Sequence, residues 1–381
     1  MTQTALTFLQ DLIRIPTVTP HAGAALDYII QVFEPFNPRI HRMTFSQEGT
    51  PDVDNLFLSV GTGNPHFCFA GHVDVVPAGE GWHQDPFGAT LVDDHLYGRG
   101  ACDMKGSIAA FMAALISFKK DFPSSSCTIS LLLTCDEEGP ALNGTKKMLD
   151  YMAQKNLIPD ACMVGEPTSK TQVGDMVKMG RRGSLCLTLT VMGQAGHVAY
   201  PHLADDPVGP LAQAILALKH WILDEGTAGF DPSTLAFSSL TCPNQATNVI
   251  PGSVSINFNV RFNPLHTCDS LYDQIRKRIH DTLGNRSFTL TRTSQAEPFL
   301  THEMALVDLM CESITQVTGV TPERSTSGGT SDARFIHFFC PVVEFGPLNA
   351  TIHQANEVIS LNELEILERI YRNFLNNYFS L

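Results

Sequence analysis

Short apolar runs separated by segments of helical period constrain this chain more than any other feature. NLFLSV, HFCFAGH, CTISLLLT and ACMVGE are strand-length, and the segments 3–14, 22–33 and 107–119 between and around them repeat their apolar residues at helical spacing. Such alternation predicts an α/β fold in which helices cover a sheet. The texture changes near GRRGS, where alternating SLCLTLTVMG is followed by helix-like PVGPLAQAILALKHWI, strand-like TLAFSSL and SVSINFNVRF, and helix-like SLYDQIRKRIHDTL. In outline this is β-α-β-β-α-β, a two-layer α+β sandwich of ferredoxin-like type. From about residue 296 the first texture returns, with a helix at MALVDLMCESITQVTG, a strand at PVVEFG and a closing helix from about 361. The expected organisation is a first domain of 1–178 completed by 296–381, with 179–295 inserted.

A chain of 381 residues exceeds a usual single core, in keeping with two domains. The 43% hydrophobic and 17% charged composition excludes a disordered protein. A net charge of −14 argues against nucleic acid and anionic membrane surfaces as partners. No basic region followed by a long apolar one opens the chain and no window reaches spanning length, so a soluble cytoplasmic protein is expected. The ten cysteines include no C-x-x-C pair, and Cys68, Cys127, Cys162, Cys186 and Cys340 lie in apolar runs, which reads as reduced packing residues.

The chemistry gathers where strands end. LLLTCDEEGP carries three acids, Asp136, Glu137 and Glu138, beyond a buried run, and clustered carboxylates persist only in open solvent or around a cation. HFCFAGHVDVVP ends in His72 and Asp74, GRGACDMKGS places Asp103 before a helix, MVGEPTS ends in Glu166, and EFGPLNATIHQANE contributes His353. Taken singly each has a structural reading: a hydrogen-bonded strand-end histidine, a helix-capping aspartate, solvated loop acids. Open α/β sheets collect ligands beyond the carboxyl ends of their strands, so these residues can instead meet at one point. G-x-S-x-G, H-E-x-x-H, G-x-G-x-x-G and G-x-x-x-x-G-K-[ST] are all missing, and a nucleophile at Cys102 has little else to support it. What is left is a donor set that zinc accepts, with carboxylates enough for two ions.

GHVDVVP, GRGACDMKG, TCDEEG and VGEP in that order, with an inserted domain and a late IHQANE, resemble the M20 family of dinuclear zinc peptidases and deacylases along essentially the whole chain. The resemblance implies two Zn²⁺ per subunit, with Co²⁺ a possible substitute. One ion would be held by His72, Asp103 and Glu166 and the other by Asp103, Glu138 and His353, with Asp103 bridging. Asp74 would orient the second nitrogen of His72, and Glu137 would be the general base. Asp136 has no family role and is expected to face solvent. Cys102 stands where alanine is common in the family, and Val73 where threonine is.

RRGS, GHVAYPHLA, NVIP, SGGTSDARF and EFGPLNATIHQANE are similar to the branch that releases succinate from N-succinyl-LL-2,6-diaminopimelate on the route to lysine. That resemblance implies substrate contacts from Arg181, Ser184, Tyr200, Asn248, Arg261, Thr330 and Asn349, although Arg261 read alone would equally be a surface ion pair. It also implies a homodimer in which His197 crosses from the partner subunit to stabilise the oxyanion. Two alternatives stay open: a sister deacylase or exopeptidase acting on N-acetylornithine or an N-acyl amino acid, and a binding module that kept the fold without the chemistry.

Overall fold

The computed structural model describes residues 4–244, 246–301 and 303–380. It divides into two compact units, one of 1–179, 301–325 and 331–381 and the other of 180–300 and 326–330.

The larger unit is built on an eight-stranded mixed sheet. Its strands run Arg39–Phe45, Val53–Val60, Thr128–Thr134, His66–His72, Ala161–Val164, Val342–Glu344, Met176–Lys178, Glu323–Ser325 from one edge to the other. The four central strands, Thr128–Thr134, His66–His72, Ala161–Val164 and Val342–Glu344, are mutually parallel, so their carboxyl ends share one side of the sheet. Their residues are almost all buried, as expected of parallel strands covered on both faces. Alternation divides these residues between two layers. Phe67, Phe69, Leu131, Leu133 and Met163 join a core with the helices Ala5–Arg14, Lys105–Asp121, Met304–Thr318 and Leu361–Tyr378. Phe57, Cys68 and Leu132 are buried apart from that core, on the face carrying the helix Thr145–Gln154.

Local signals start the helices where the chain must turn back onto the sheet. Thr4 caps Ala5–Arg14 by accepting from the Thr7 amide, and Ser360 with Glu363 forms a reciprocal capping box on Leu361–Tyr378. Phe69 stacks on Phe111 with ring centres 4.3 Å apart, and Tyr371 meets both rings edge-on. The helix Lys105–Asp121 begins so close to the sheet that Gly165 has no room for a Cβ, which would overlap Phe69, Met104 and Ser107. That closeness brings the preceding loop, with Asp103, to the carboxyl ends of the strands.

The smaller unit is a four-stranded antiparallel sheet in the order Thr234–Thr241, Ser253–Phe262, Gly183–Met192, Phe288–Ala296. In chain order this is 2-3-1-4, the arrangement of the β-α-β-β-α-β motif the sequence predicts. Helices Val208–Lys219 and Cys268–Leu283 pack on one face through Leu211, Ala214, Leu218, Leu271, Ile275 and Ile279. The opposite, alternate positions of the strands are exposed or half-exposed. The segment 326–330, expected in the first domain, groups with this unit.

Elements with weak periodicity were not anticipated. The edge strand Arg39–Phe45 is exposed or half-exposed throughout and is fixed by its pairing with Val53–Val60 and by polar side-chain contacts of His41, Arg42 and Thr44. The three-residue strands Met176–Lys178 and Glu323–Ser325 are too short to carry a pattern. All ten cysteines are free, as expected.

Candidate metal centre

Five side chains from five separate segments of the larger unit converge beyond the parallel strands. His72 is the last residue of its strand, Glu138 and Glu166 follow the ends of two neighbours, and Asp103 and His353 come from loops. His353 takes a left-handed backbone with φ of 59°, uncommon outside glycine and a mark of a position fixed by its surroundings.

Asp103 organises the group. Its Oδ1 lies 3.1 Å from His72 Nε2 and its Oδ2 lies 3.3 Å from His353 Nε2, so each oxygen serves a different histidine. Each histidine then has a further carboxylate, Glu166 at 3.8 Å from His72 and Glu138 at 2.9 Å from His353. The candidate ligands therefore fall into two sets that share Asp103.

The His72 tautomer adds a constraint. Its Nδ1 lies 2.9 Å from the backbone carbonyl of Asp74, an acceptor, and so carries the proton. Nε2 then turns a lone pair toward the oxygens of Asp103 and Glu166, acceptor against acceptors. Only a cation, whether proton or metal ion, makes that arrangement favourable. The titration behaviour has the same cause. Burial opposes the charged form of His72, yet the hydrogen bond with Asp103 and the fields of Asp103, Glu137 and Glu166 hold its pKa well above the usual value. Hydrogen bonds to Asp103 and Glu138 raise His353 to about 10. For Asp103 burial is outweighed by the two histidines, and its pKa lies well below the usual carboxylate range. Donor atoms of His72, Asp103 and Glu138 lie within 4.8 Å of one another, as do those of His72, Glu137 and Glu166. The residues present fit divalent metal ions.

Two roles differ from expectation. The Asp74 carboxylate lies 3.8 Å from His72 Nδ1 and does not hold that nitrogen; the Asp74 backbone carbonyl does. The carboxylate accepts instead from the Thr19 hydroxyl at 2.7 Å and from the amides of Glu138 at 3.1 Å and Glu137 at 3.4 Å. Asp74 thus anchors the turn that presents the two glutamates. Burial raises its pKa to about 6. Asp136 does not face solvent: it is 2% exposed, and its Oδ2 accepts from the amides of Leu142 and Asn143, both at 2.9 Å, to close the loop after the strand. An acid within an acidic run looks solvated in sequence, and the loop amides it serves are six and seven residues away. Sequence reasoning also passed over Asp332, buried with its carboxylate 2.5 Å from the Thr145 hydroxyl and near enough to Glu137 to raise that residue's pKa. The resemblance carried by its motif, SGGTSDARF, points to Thr330 instead.

In the smaller unit, Arg181, Arg182 and Arg261 form a cationic group. Arg261 is more than half buried, its Nη1 has no hydrogen-bond partner, and burial and the two neighbouring arginines depress its pKa. No ion pair engages Arg261 among the described residues, which removes the surface salt-bridge reading. Arg181 Nη1 reaches the Gly329 carbonyl at 3.4 Å and presses against Gly328, whose φ of 100° and lack of side chain leave the guanidinium room. Ser184 accepts from Asn259 Nδ2 at 2.9 Å, beside Arg261 in the register of the sheet. His197 is exposed at the end of a two-residue strand, where its Nδ1 accepts the Ala199 amide at 3.1 Å. Tyr200 is 56% exposed next to it, and the Asn248 carbonyl accepts the Val198 amide. Thr330 lies in the segment that joins this unit, and Asn349 lies in the larger unit, its amide bonded to the Ser169 carbonyl.

Residues 68–377 match the family model Peptidase family M20/M25/M40. The chain belongs to peptidase family M20. A succinyl-diaminopimelate desuccinylase of Rhodospirillum centenum is 50% identical to this M20 chain, covering 97% of it and 96% of the relative. One of Parvibaculum lavamentivorans is 49% identical over 97% and 94% of the two chains. Among solved structures, an M20 metallo-carboxypeptidase of Sulfolobus solfataricus superposes with a TM-score of 0.81 at 18% identity, with both chains fully covered. A dinuclear metal binding peptidase of the M20 family from Bacillus subtilis does so with 0.73 at 14% identity, covering 99% and 97%. At those identities the structural likeness carries the M20 fold alone.

Proposed function

We propose that this chain is a dinuclear zinc amidohydrolase that cleaves N-succinyl-LL-2,6-diaminopimelate to succinate and LL-2,6-diaminopimelate, within the diaminopimelate route to lysine. The observation that carries the reading is the division of the Asp103 oxygens between two histidines, each with its own second carboxylate. Near-full-length relatives named succinyl-diaminopimelate desuccinylase support the substrate. The chain is a metal-dependent hydrolase in either case.

His72, Asp103 and Glu166 would hold one ion, and Asp103, Glu138 and His353 the other. Two histidines among carboxylates suit zinc, and cobalt is a workable substitute. Bound ions would supply Lewis-acid activation of the amide carbonyl and of water. Glu137 supplies the proton traffic. Its backbone is fixed by Asp74, and burial together with Glu166 raises its proton affinity far above that of an ordinary carboxylate. It takes the proton from the attacking water and returns it to the leaving amine, which departs neutral.

The succinyl chain ends in a carboxylate, which an acidic protein repels at long range and must capture locally. The unpaired, partly desolvated Arg261 beside Arg181 supports assigning them that task, with Ser184, Tyr200, Asn248, Thr330 and Asn349 around the remaining polar groups. His197 would donate to the oxyanion from a partner subunit; with Nδ1 engaged as an acceptor, Nε2–H is the donor it offers. Leu216 and Leu240, 56% and 62% exposed in the smaller unit, support a homodimer built on that unit. No helix among the described residues is long and apolar enough to cross a membrane, and a cytoplasmic location follows from the biosynthetic role.

The test is a comparison of specificity constants on N-succinyl-LL-2,6-diaminopimelate, N-acetylornithine and a simple dipeptide. The succinylated substrate should be preferred by several orders of magnitude. Comparable turnover of either competitor would overturn the substrate while leaving the metal chemistry standing.

A further inference from the structure

Resting on the metal reading above, we propose that Glu357, paired with Arg99, is the positioning residue that sets the bridging carboxylate and holds three ligand-bearing segments in one geometry. Glu357 is fully buried, and Arg99 is 2% exposed. One oxygen of Glu357 accepts from the amides of Cys102 at 2.8 Å and Asp103 at 3.0 Å. The other accepts from the Gly100 amide at 2.9 Å and from Arg99 Nη1 at 2.8 Å. Three of the four backbone amides of the 100–103 loop are therefore aimed at a side chain more than 250 residues away in sequence. The loop has no regular secondary structure to fix it, and its last residue must present two oxygens to two different histidines.

The other segments are tied through the same pair. Arg99 Nη2 donates to the carbonyls of Ala78 at 3.1 Å and Pro77 at 3.4 Å, and the guanidinium lies 5.2 Å from the centre of the Trp82 ring. Those carbonyls belong to the loop that leaves His72 and Asp74. Glu357 itself stands four residues after His353, and its carbonyl accepts the Gly98 amide at 3.0 Å. The pair thus joins the segments of His72, Asp103 and His353 while touching no reacting atom. A buried ion pair is weak evidence for stability, because well-packed apolar residues often serve as well. A carboxylate that accepts three hydrogen bonds from the backbone of the Asp103 loop, and a fourth from Arg99, is instead suited to orienting ligands.

The test measures metal affinity and not turnover alone. Metal-free wild type and Glu357→Gln are titrated with Zn²⁺ by calorimetry, beside a core variant such as Leu26→Ala whose metal-free form has lost a comparable amount of thermal stability. Glu357→Gln keeps the size of the side chain but replaces one acceptor oxygen with a donor that faces amides. It should bind at least one of the two ions about 10- to 100-fold more weakly, whereas the core variant keeps wild-type affinity. Arg99→Lys keeps the charge and withdraws the fork from Pro77 and Ala78. It should weaken binding by a smaller factor of about 3 to 10, and serves alone if Glu357→Gln does not fold. Unchanged affinity in a folded Glu357→Gln, or in Arg99→Lys where only that variant folds, would overturn the proposal, as would equal weakening in the core variant. Wild type that binds no ion would overturn the metal reading itself.

Discussion

Glu137 and Glu138 are neighbours with opposite assignments, and a single pair of substitutions separates them. Glu137→Gln should keep wild-type metal content and lose about 100- to 10,000-fold in kcat, the range a positioned acid/base supplies. Glu138→Gln should lose metal first, because the His353 set has few other donors. Metal analysis beside kcat checks both, and metal loss in Glu137→Gln would move that residue into the ligand set. Arg261→Met tests the proposed contact with the substrate carboxylate. A half-buried guanidinium with an unpaired nitrogen and two like-charged neighbours contributes little to stability. The thermal midpoint should hold or rise while KM for the succinylated substrate rises about 10- to 100-fold, the worth of a charge-assisted hydrogen bond. A lowered midpoint with unchanged KM would return Arg261 to a structural role. At this scale the sequence was most legible where polar residue types stand at or just beyond strand ends, as with His72 and Glu166, which the structure brings together. It was least legible where backbone takes a side chain's place. The Asp74 carbonyl, not its carboxylate, holds His72, and Asp136 serves two amides of a loop whose path no spacing predicts.

Among elements, strands with strong apolar runs and helices with clear periodicity were readable, because burial on one or both faces writes itself into the sequence. His66–His72 and Leu361–Tyr378 are examples. Arg39–Phe45 was not, since an edge strand held by backbone pairing and polar side-chain contacts needs no apolar pattern. The connection from Val208–Lys219 to Thr234–Thr241 depends on polar anchoring in the same way. Asp224 accepts from the amides of Gly226 and Ser233 and from Asn263 Nδ2, and lies 3.0 Å from His266 Nε2. Burial opposes its charge, but hydrogen bonds from Ser233, Gly226 and Asn263 bring its pKa down to about 2. A depressed carboxylate stabilises the fold above its unfolded pKa of about 4 and loses that contribution as pH falls toward 2. Asp224→Asn should therefore be less stable than wild type near neutral pH, by on the order of 1 kcal/mol after solvent screening. The gap should close between about pH 4 and pH 2. Urea unfolding across that window reads it directly, and a gap independent of pH would show that shape, not charge, is what Asp224 contributes.

For the whole molecule the question is whether one chain contains a complete site. If His197 acts across a dimer, subunit exchange between Glu137→Gln and His197→Ala chains should restore activity. One of the two sites then pairs an intact metal centre with an intact histidine, so turnover should approach half of wild type per dimer. Verified heterodimers as inactive as both parents would confine His197 to its own subunit or to structure. The most direct measurement of the central claim is turnover of N-succinyl-LL-2,6-diaminopimelate by metal-free protein during stepwise addition of Zn²⁺, with bound metal counted at each step. Two ions per chain should bind, activity should be negligible without metal, and full turnover should require occupancy of both halves of the Asp103-centred site. Full activity in metal-free protein, or saturation of binding at fewer than one ion per chain, would contradict it.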